Sequence, residues 1–170
     1  QGAKFFDEFI SKIIIKLSKK QNIRVLQQVI DQSSKEIIKD LYQKNFIEHE
    51  LFDFDDKLLI KAANYDLAIT RSGASTISEL AYLNIPFVAI PYPYAKDNHQ
   101  YYNAEFYEKN KSCWLIMQND IDENKFTNLI IKIFDDHNEY FSKKKNLIRL
   151  TKENIWEKNK FKLIELINEN

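Results

Sequence analysis

The sequence predicts an α/β fold in which helices doubly wind a parallel sheet, as in Rossmann-like domains. Short apolar runs typical of buried strands alternate with segments whose apolar residues recur every three or four positions. Residues 66–103 are the clearest unit, with a strand, a loop containing Gly73, a helix, a second strand and a polar loop in that order. Ligands bind such sheets at the carboxyl ends of the strands, so these loops are the expected site.

The first 64 residues predict three helices and two strands. In order, these are a helix at residues 4–20, a strand at 23–28, a helix at 33–44, a strand at 46–52 and a helix at 57–63. The first helix is expected to bury apolar side chains that recur from Phe5 to Leu17. The buried face of the second helix is expected to carry Ile37, Ile38, Leu41 and Tyr42.

The rest of the chain predicts three more strands and four or five helices, since two or three helices finish the chain. The strands are at 67–70, 87–90 and 112–117, and the helices are at 75–83, 100–109, 123–134, 140–152 and 155–167. A turn is expected at Asn119-Asp120. The strands are expected to form one parallel sheet within a single domain that spans all 170 residues.

Composition excludes some classes of protein. The balance of 25 basic and 25 acidic residues argues against a nucleic-acid binder with a broad phosphate-facing patch. Cys113 is the single cysteine, so no internal disulfide can form and a reducing compartment is expected. We interpret Cys113 as a small buried hydrophobe rather than a catalytic thiol. No run approaches the roughly 20 apolar residues that a membrane helix needs.

Residues 71–76, Arg-Ser-Gly-Ala-Ser-Thr, join a predicted strand to a helix through small side chains. N–H groups in the first turn of a helix have no intrahelical partner and lie at its positive end, so the motif is a candidate anion site. Gly73 can adopt a positive φ or let a phosphate approach closely. The hydroxyls of Ser72, Ser75 and Thr76 can add hydrogen bonds. An ordinary helix start with a glycine turn fits the same residues.

Glu79 follows Ser75 by one helical turn, so the two residues share a face of the predicted helix. A carboxylate in that position can accept hydrogen bonds from both hydroxyls of a ribose diol. A capping box explains the same residue, because Thr76 and Glu79 have the spacing in which the acid reaches back to the amide of the helix N-cap. Both interpretations stay open at the level of the sequence.

The polar loop at residues 92–100 follows the second strand of this unit and is stiffened by proline. His99, Gln100 and Asn103 offer donors and acceptors close together, which is what the hydroxyl array of a sugar requires. A lone loop histidine is usually a surface residue, so the prediction for His99 depends on its neighbours.

Asp53-Phe54-Asp55 has the spacing of an Asp-x-Asp metal motif. We interpret these residues as a turn and as the N-cap of the next helix, because Asp is favoured in both positions. No catalytic metal and no cofactor are therefore expected.

RSGASTISE, followed by IPFVAIPYPYAKDNHQYYNA, resembles the C-terminal donor-binding domain of MurG-type UDP-N-acetylglucosamine transferases, glycosyltransferase family 28. Gln1-Gly2-Ala3 resembles the end of that family's glycine-rich phosphate loop, so the resemblance covers essentially the whole chain. It implies the C-terminal half of a GT-B glycosyltransferase, with C-terminal helices from about residue 140. It also implies that the first strand of the domain and an N-terminal acceptor domain are missing.

The resemblance implies roles for five residues in the first part of the chain. Gln1 and Gly2 correspond to the family's phosphate loop. Phe54, Asp55 and Leu58 occupy the loop that holds uracil, with the backbone of Asp55 at the edge of the base and Leu58 packed nearby.

The remaining implied site residues lie between positions 71 and 103. The backbone amides of Ala74, Ser75 and Thr76 correspond to those near the diphosphate and sugar. Glu79 corresponds to the acid that holds the ribose hydroxyls, and His99 and Gln100 to the pair that reads the GlcNAc hydroxyls. The supporting residues are Arg71, Ser72, Gly73 and Asn103.

The resemblance implies inverting, metal-independent transfer of GlcNAc from UDP-GlcNAc to undecaprenyl-pyrophosphoryl-MurNAc-pentapeptide, which converts lipid I to lipid II in peptidoglycan synthesis. The base is expected in the missing domain, so the chain alone is expected to be inactive. A peripheral position on the cytoplasmic face of the bacterial cell membrane is implied, with no nucleic-acid partner. Two alternatives stay open: a stand-alone catalytic subunit of a dolichol-linked GlcNAc transferase, and a non-catalytic nucleotide-sugar-binding module.

Overall fold

A computed structural model describes residues 5–153 of the chain, which form two compact units. The first unit contains residues 5–64 and 120–136, and the second contains residues 65–119 and 137–153. Gln1, Gly2 and the helix predicted at 155–167 lie outside the described residues. None of the helices within residues 5–153 has the length and apolarity needed to cross a membrane.

Helices and strands alternate in the predicted order. The helices are α1 (Ser11–Ser18), α2 (Gln32–Lys44), α3 (Leu58–Ala62), α4 (Ala74–Tyr82), α5 (His99–Lys109), α6 (Glu123–Asp135) and α7 (His137–Glu153). The strands are β1 (Arg24–Gln28), β2 (Glu48–Phe52), β3 (Ala68–Thr70), β4 (Phe87–Ala89) and β5 (Trp114–Leu115). A π-helical turn at Phe6–Ile10 precedes α1, and 3₁₀ turns lie at Lys96–Asn98 and Gln118–Asp120.

The first unit contains a two-stranded parallel sheet in which β1 pairs with β2. The N-cap of α2 is Asp31, whose carboxylate accepts a hydrogen bond from the Ser34 amide at 2.7 Å. The core cluster of this unit contains Val25, Val29, Ile38, Tyr42 and Ile47.

The predicted buried face of α2 is wrong for two of its four residues. Ile38 and Tyr42 are buried, whereas Ile37 and Leu41 are exposed. Successive helical residues are rotated by about 100°, so these two pairs lie on adjacent faces and only one faces the core. The buried face also gives the Tyr42 hydroxyl a partner, since it donates to Gln27 Oε1 at 2.6 Å.

The first helix is interrupted, where the sequence predicted continuous α-helix. The π-helical turn at Phe6–Ile10 contains one extra residue, which rotates the positions around it relative to a regular helix. Asp7 and Ser11 are therefore buried beside Ile10, and the Ser11 hydroxyl donates to the Asp7 carbonyl at 2.6 Å. Burial, together with the nearby carboxylates of Asp31 and Glu8, raises the pKa of Asp7.

The second unit contains a three-stranded parallel sheet in the order β3-β4-β5. The five strands within residues 5–153 thus form two hydrogen-bonded sheets, where the sequence predicted one. Every residue of the central strand β4 is buried, as expected of a strand covered on both faces. Strand β5 is shorter than predicted, because the Ser112 amide bonds to the Tyr107 carbonyl in the turn that ends α5. The core cluster contains Ile77, Ala81, Phe87, Ala89, Ala104, Cys113 and Leu147.

Candidate functional site

The backbone amides in the first turn of α4 are uncapped and exposed, and we call them the open amides. The N-cap of the helix is Gly73, and the first intrahelical bond runs from the Ile77 amide to the Gly73 carbonyl at 3.1 Å. The amides from Ala74 to Thr76 precede that bond and have no carbonyl within the helix to bond to. No side chain caps the helix, and residues 74–76 are exposed. These amides and the positive end of the helix dipole are thus available to an anion.

Of the two roles that the sequence allowed for Gly73, a positive φ and the close approach of a phosphate, the structure is compatible only with the second. Its φ is −62° and its ψ is 139°, an extended conformation open to any residue, so no positive φ is needed here. A Cβ added to Gly73 would lie 3.8 Å from Thr76 Oγ1, an ordinary contact. The missing side chain therefore leaves space beside the open amides, where an anion could approach closely.

The capping-box interpretation of Glu79 is wrong. α4 begins at Ala74, so Thr76 is the third residue of the helix and is not its N-cap. Glu79 is exposed, and its carboxylate has no hydrogen bond or ion pair with the described part of the chain. Ser75 lies four residues earlier on the same face. The carboxylate is thus free to bind a ligand one turn from the open amides.

Arg71 holds the strand ends together. Its Nη1 donates to the carbonyls of Ile90 and Pro91 at 3.1 and 3.2 Å, and its Nη2 donates to Gln118 Oε1 at 2.6 Å. The guanidinium also lies 5.4 Å from the centre of the Tyr92 ring. Burial lowers the pKa of this guanidinium. Because these groups follow β4 and β5, Arg71 positions the carboxyl edge of the sheet.

Gln118 was not predicted from the sequence. It lies 47 residues from Arg71, and no local motif marks it. The only signal was its position shortly after the last predicted strand, where loops of a parallel sheet converge.

Asn103 joins α5 to the loop that begins α4. Its Nδ2 donates to the Ser72 carbonyl at 3.1 Å. The Ser72 side chain is fully buried, and its hydroxyl has no hydrogen-bond partner in the described residues. The exposed hydroxyls near the open amides are therefore those of Ser75 and Thr76, whereas Ser72 bonds to Asn103 through its backbone.

The polar loop ends in a strained turn that presents His99. Asp97 and Asn98 have φ values of 52° and 53°, which is the left-handed region. His99 is exposed, with Nδ1 2.7 Å from the Lys96 carbonyl. A carbonyl only accepts, so Nδ1 carries the proton, and Nε2 of the neutral ring is an acceptor that faces no described partner.

Gln100 fastens the other end of this loop. Its Oε1 accepts a hydrogen bond from the Tyr92 amide at 2.9 Å, which leaves its NH₂ group as a donor. The Tyr92 ring contacts Tyr94 edge to face, with centroids 5.7 Å apart. The predicted sugar-binding residues thus also hold the loop in shape.

The predicted uracil loop lies in the first unit, after β2. Phe54 is 83% exposed, and Asp55 and Leu58 are half-buried. The Asp55 carboxylate pairs with Lys61 and accepts from the Lys57 amide at 2.8 Å, and these two contacts lower its pKa.

These contacts decide the interpretation of the Asp-x-Asp motif. The Asp55 carboxylate accepts from the Lys57 amide at 2.8 Å and the Asp55 carbonyl accepts from the Leu58 amide at 3.2 Å, which confirms a turn into the next helix. The predicted N-cap is wrong, since the N-cap of α3 is Lys57 and no side chain caps that helix. Within residues 5–153, no group of three or more His, Cys, Asp or Glu side chains could hold a metal ion.

Comparison with known proteins matches the glycosyltransferase family 28 C-terminal domain over residues 1–161. The chain belongs to glycosyltransferase family 28. Two relatives of the family 28 chain are named UDP-N-acetylglucosamine–N-acetylmuramyl-(pentapeptide) pyrophosphoryl-undecaprenol N-acetylglucosamine transferase. The one from Pelagibacter ubique (strain HTCC1062) is 43% identical over 170 residues, which is 100% of the chain and 48% of the relative. The one from Rickettsia africae (strain ESF-5) is 39% identical over 90% of the chain and 41% of the relative.

The fold of the family 28 chain also has a solved counterpart. The crystal structure of Acinetobacter baumannii MurG matches 85% of the chain and 41% of that protein, with a TM-score of 0.71 and 22% identity. The predicted α/β fold with parallel strands is therefore confirmed. The chain spans about half the length of the curated relatives that it matches.

Proposed function

We propose that this chain binds UDP-N-acetylglucosamine and is the donor-binding part of an inverting transferase that converts lipid I to lipid II in peptidoglycan synthesis. Membership of family 28 and 43% identity to the Pelagibacter transferase support the proposal. Because the chain spans 48% of that relative, we propose the activity for a whole protein that includes this domain.

The observation that carries this proposal is the start of α4. Open amides from Ala74 to Thr76 lie at the positive end of the helix, and the Glu79 carboxylate is exposed one turn further along. A nucleoside diphosphate offers the matching groups, which are an anionic diphosphate for the amides and a ribose diol for the carboxylate. Within the described residues no side chain caps the helix and the Glu79 carboxylate makes no hydrogen bond or ion pair, so the fold itself uses neither feature.

The proposed reaction is a single displacement at C1 of GlcNAc. The 4-hydroxyl of the N-acetylmuramyl group attacks C1 while the bond from C1 to the diphosphate oxygen breaks, and UDP leaves with that electron pair. Attack opposite the leaving group inverts the anomeric centre. Negative charge grows on the diphosphate as the bond stretches, and the preoriented α4 amides stabilise it. We assign the general base and the lipid I site to protein outside this chain.

We assign recognition of the GlcNAc ring to the start of α5. His99 offers Nε2 as an acceptor, and Gln100 keeps its NH₂ group as a donor. One side chain can therefore accept a hydrogen bond from a sugar hydroxyl while the other donates to one. Asn103 and Arg71 support this role indirectly by holding the neighbouring loops. The roles of Phe54, Asp55 and Leu58 toward uracil, and of Gln1 and Gly2 toward phosphate, stay predictions of the family resemblance.

We also propose peripheral association with the cytoplasmic face of the bacterial cell membrane, where a lipid I acceptor would lie. The two relatives reported above come from bacteria, and the name that both have includes an undecaprenol acceptor. This name favours lipid I over a dolichol-linked acceptor. A non-catalytic nucleotide-sugar-binding module would share the donor site, and only transfer by the whole protein distinguishes the two.

The proposal is tested by a double-mutant cycle between Glu79 and the ribose. Calorimetric titration of the full chain would compare UDP with 2′-deoxy-UDP, for the wild type and for Glu79→Ala. We expect Glu79→Ala to weaken UDP binding by about ten- to a hundredfold, since a hydrogen bond to a charged group contributes about 1.5–3 kcal/mol. The preference for UDP over 2′-deoxy-UDP should disappear in the variant.

Glu108→Ala is the matched control, because Glu108 is an exposed helical carboxylate in the same unit. It should leave UDP affinity unchanged. A second titration compares UDP-GlcNAc with UDP-glucose, and the chain should prefer UDP-GlcNAc. If Glu79→Ala binds UDP and 2′-deoxy-UDP as the wild type does, the assigned site is wrong.

A further inference from the structure

Phe46 is the most exposed large apolar side chain among the described residues. It lies between α2 and β2, in the first unit, and is 98% exposed. Its φ is 55°, so a bulky side chain occupies the left-handed conformation that normally suits glycine. Folding does not favour an aromatic residue here, because the side chain buries nothing and the backbone is strained.

Other helix ends in the chain show what this position usually holds. α2, α4 and α5 end in the same pattern, in which the residue after the C-cap is left-handed and the next amide bonds back into the last turn. The left-handed residues of α4 and α5 are Asn84 and Lys111, both polar. Asparagine and glycine are the usual choices, so Phe46 is the exception among the three.

Phe46 borders an open groove of about 350 Å³ that contains cationic groups. Lys19 and Lys20 also line it, with amide side chains such as Asn22 and Asn45, and no carboxylate is among the lining residues. Both lysines are exposed, and neither ammonium has an ion pair within residues 5–153. Lys44, also exposed, lies in the last turn of α2, two residues before Phe46.

We propose that Phe46, Lys19 and Lys20 form a docking surface for an anionic phospholipid bilayer. The aromatic ring would enter the boundary between headgroups and acyl chains, and the two ammonium groups would bind lipid phosphates around it. A single protruding ring with cations beside it suits a bilayer. A stable protein–protein interface buries about 800 Å² on each partner around an apolar core, and the polar groove offers no such core.

The two lysines and the Phe46 ring are expected to contribute to vesicle binding in different ways. Each lysine near an anionic membrane contributes about fivefold to binding, and this contribution falls with salt. Insertion of the ring adds roughly tenfold and is insensitive to salt. This inference rests on the peripheral membrane association proposed above but is independent of the donor site, so vesicle binding and UDP binding can fail separately.

Vesicle sedimentation with the full chain tests the proposal. Vesicles of phosphatidylglycerol and phosphatidylcholine would be compared with vesicles of phosphatidylcholine alone. We expect binding to the anionic vesicles only, a roughly tenfold loss in Phe46→Gly, and a larger loss in Lys19→Gln/Lys20→Gln that removes most of the salt dependence. Phe46→Gly should fold at least as well as the wild type, because glycine relieves the left-handed strain.

Lys111→Gly is the matched control, since it removes a cation from the same backbone position at the end of another helix. It should bind anionic vesicles like the wild type. Phe46→Trp provides a second measurement, because its fluorescence should shift to the blue on anionic vesicles and be quenched by brominated lipid. The proposal is overturned if the wild type binds no vesicles, if Phe46→Gly binds as well as the wild type, or if Phe46→Trp stays exposed to water.

Discussion

The side-chain amide of Asn103 donates to the carbonyl oxygen of Ser72 across 3.1 Å, so the second turn of α5 fastens the loop from which α4 begins. Asn103→Leu keeps the approximate shape and removes the donor. We expect the free energy of unfolding to fall by about 1–2 kcal/mol, because the Ser72 carbonyl loses its partner. UDP affinity should also fall several-fold as the loop loosens.

Urea denaturation and UDP titration check this prediction. Asn110→Leu is the control, because Asn110 Nδ2 donates to the Phe106 carbonyl at the far end of the same helix. It should change stability without changing UDP affinity. Equal effects of both variants on UDP binding would contradict a positioning role for Asn103.

Gly73→Ala separates ligand binding from folding. Alanine can adopt the φ of −62° found here, and its Cβ would make an ordinary contact with Thr76, so the free energy of unfolding should change by less than about 0.5 kcal/mol. The same methyl group would occupy the space beside the open amides. UDP affinity should therefore fall by at least roughly tenfold, because close approach of the phosphate is lost. An unchanged UDP affinity by calorimetry would exclude a phosphate next to Gly73.

Arg71→Met tests whether Arg71 holds the segments that follow β4 and β5 in place. The variant leaves the carbonyls of Ile90 and Pro91 without their donor, so the free energy of unfolding should fall by about 2–3 kcal/mol. Arg71→Lys should recover only part of this loss, because one ammonium cannot reproduce the planar fork that also reaches Gln118. Arg24→Met is an exposed control with a smaller expected effect. Full recovery by lysine in urea denaturation would show that charge alone matters.

Cys113 should make the fold sensitive to alkali. Burial raises the pKa of its thiol from an ordinary 9.0 to about 12. Between those pH values the folded thiol keeps its proton and the unfolded thiol loses it, so stability is full below about pH 9 and falls as pH rises toward 12. From pH 8 to pH 10 this one group should lower the free energy of unfolding by about 1.4 kcal/mol.

Cys113→Ala should remove that part of the pH dependence. Urea denaturation at both pH values gives the difference, which is independent of any packing loss in the variant. A smaller slope should remain from Tyr42, because burial raises the pKa of its hydroxyl from 10.0 to about 12. Identical slopes for the wild type and Cys113→Ala would contradict a neutral, buried thiol.

Local patterns were sufficient to predict the order of the elements and the open helix start. Periodicity, helix caps and turns depend on residues within about four positions of one another, so a single sequence contains them. The stretch from Leu67 to Leu83 therefore predicted a strand, a loop and a helix. The strand begins one residue later than predicted, at Ala68, and the helix is shifted by one residue, to Ala74–Tyr82.

Some choices that also look local were decided by packing. On α2, Ile37 with Leu41 and Ile38 with Tyr42 have the same spacing, and only contact with the core selects the second pair. The π-helical turn before α1 is a similar case, since the apolar residues of that segment also fit a regular helix. Periodicity identifies apolar positions but does not say which neighbour covers them.

The sequence by itself determined the fold class, the position of the candidate site at strand ends and the membership of the chain in its family, because these depend on short motifs and their order. Only the tertiary structure decided that Glu79 is free of the cap of its helix, that Arg71 reaches Gln118 across 47 residues and that Asn103 holds Ser72 across 31. Such contacts depend on the path of the chain in space, and no pattern of neighbouring residues encodes that path.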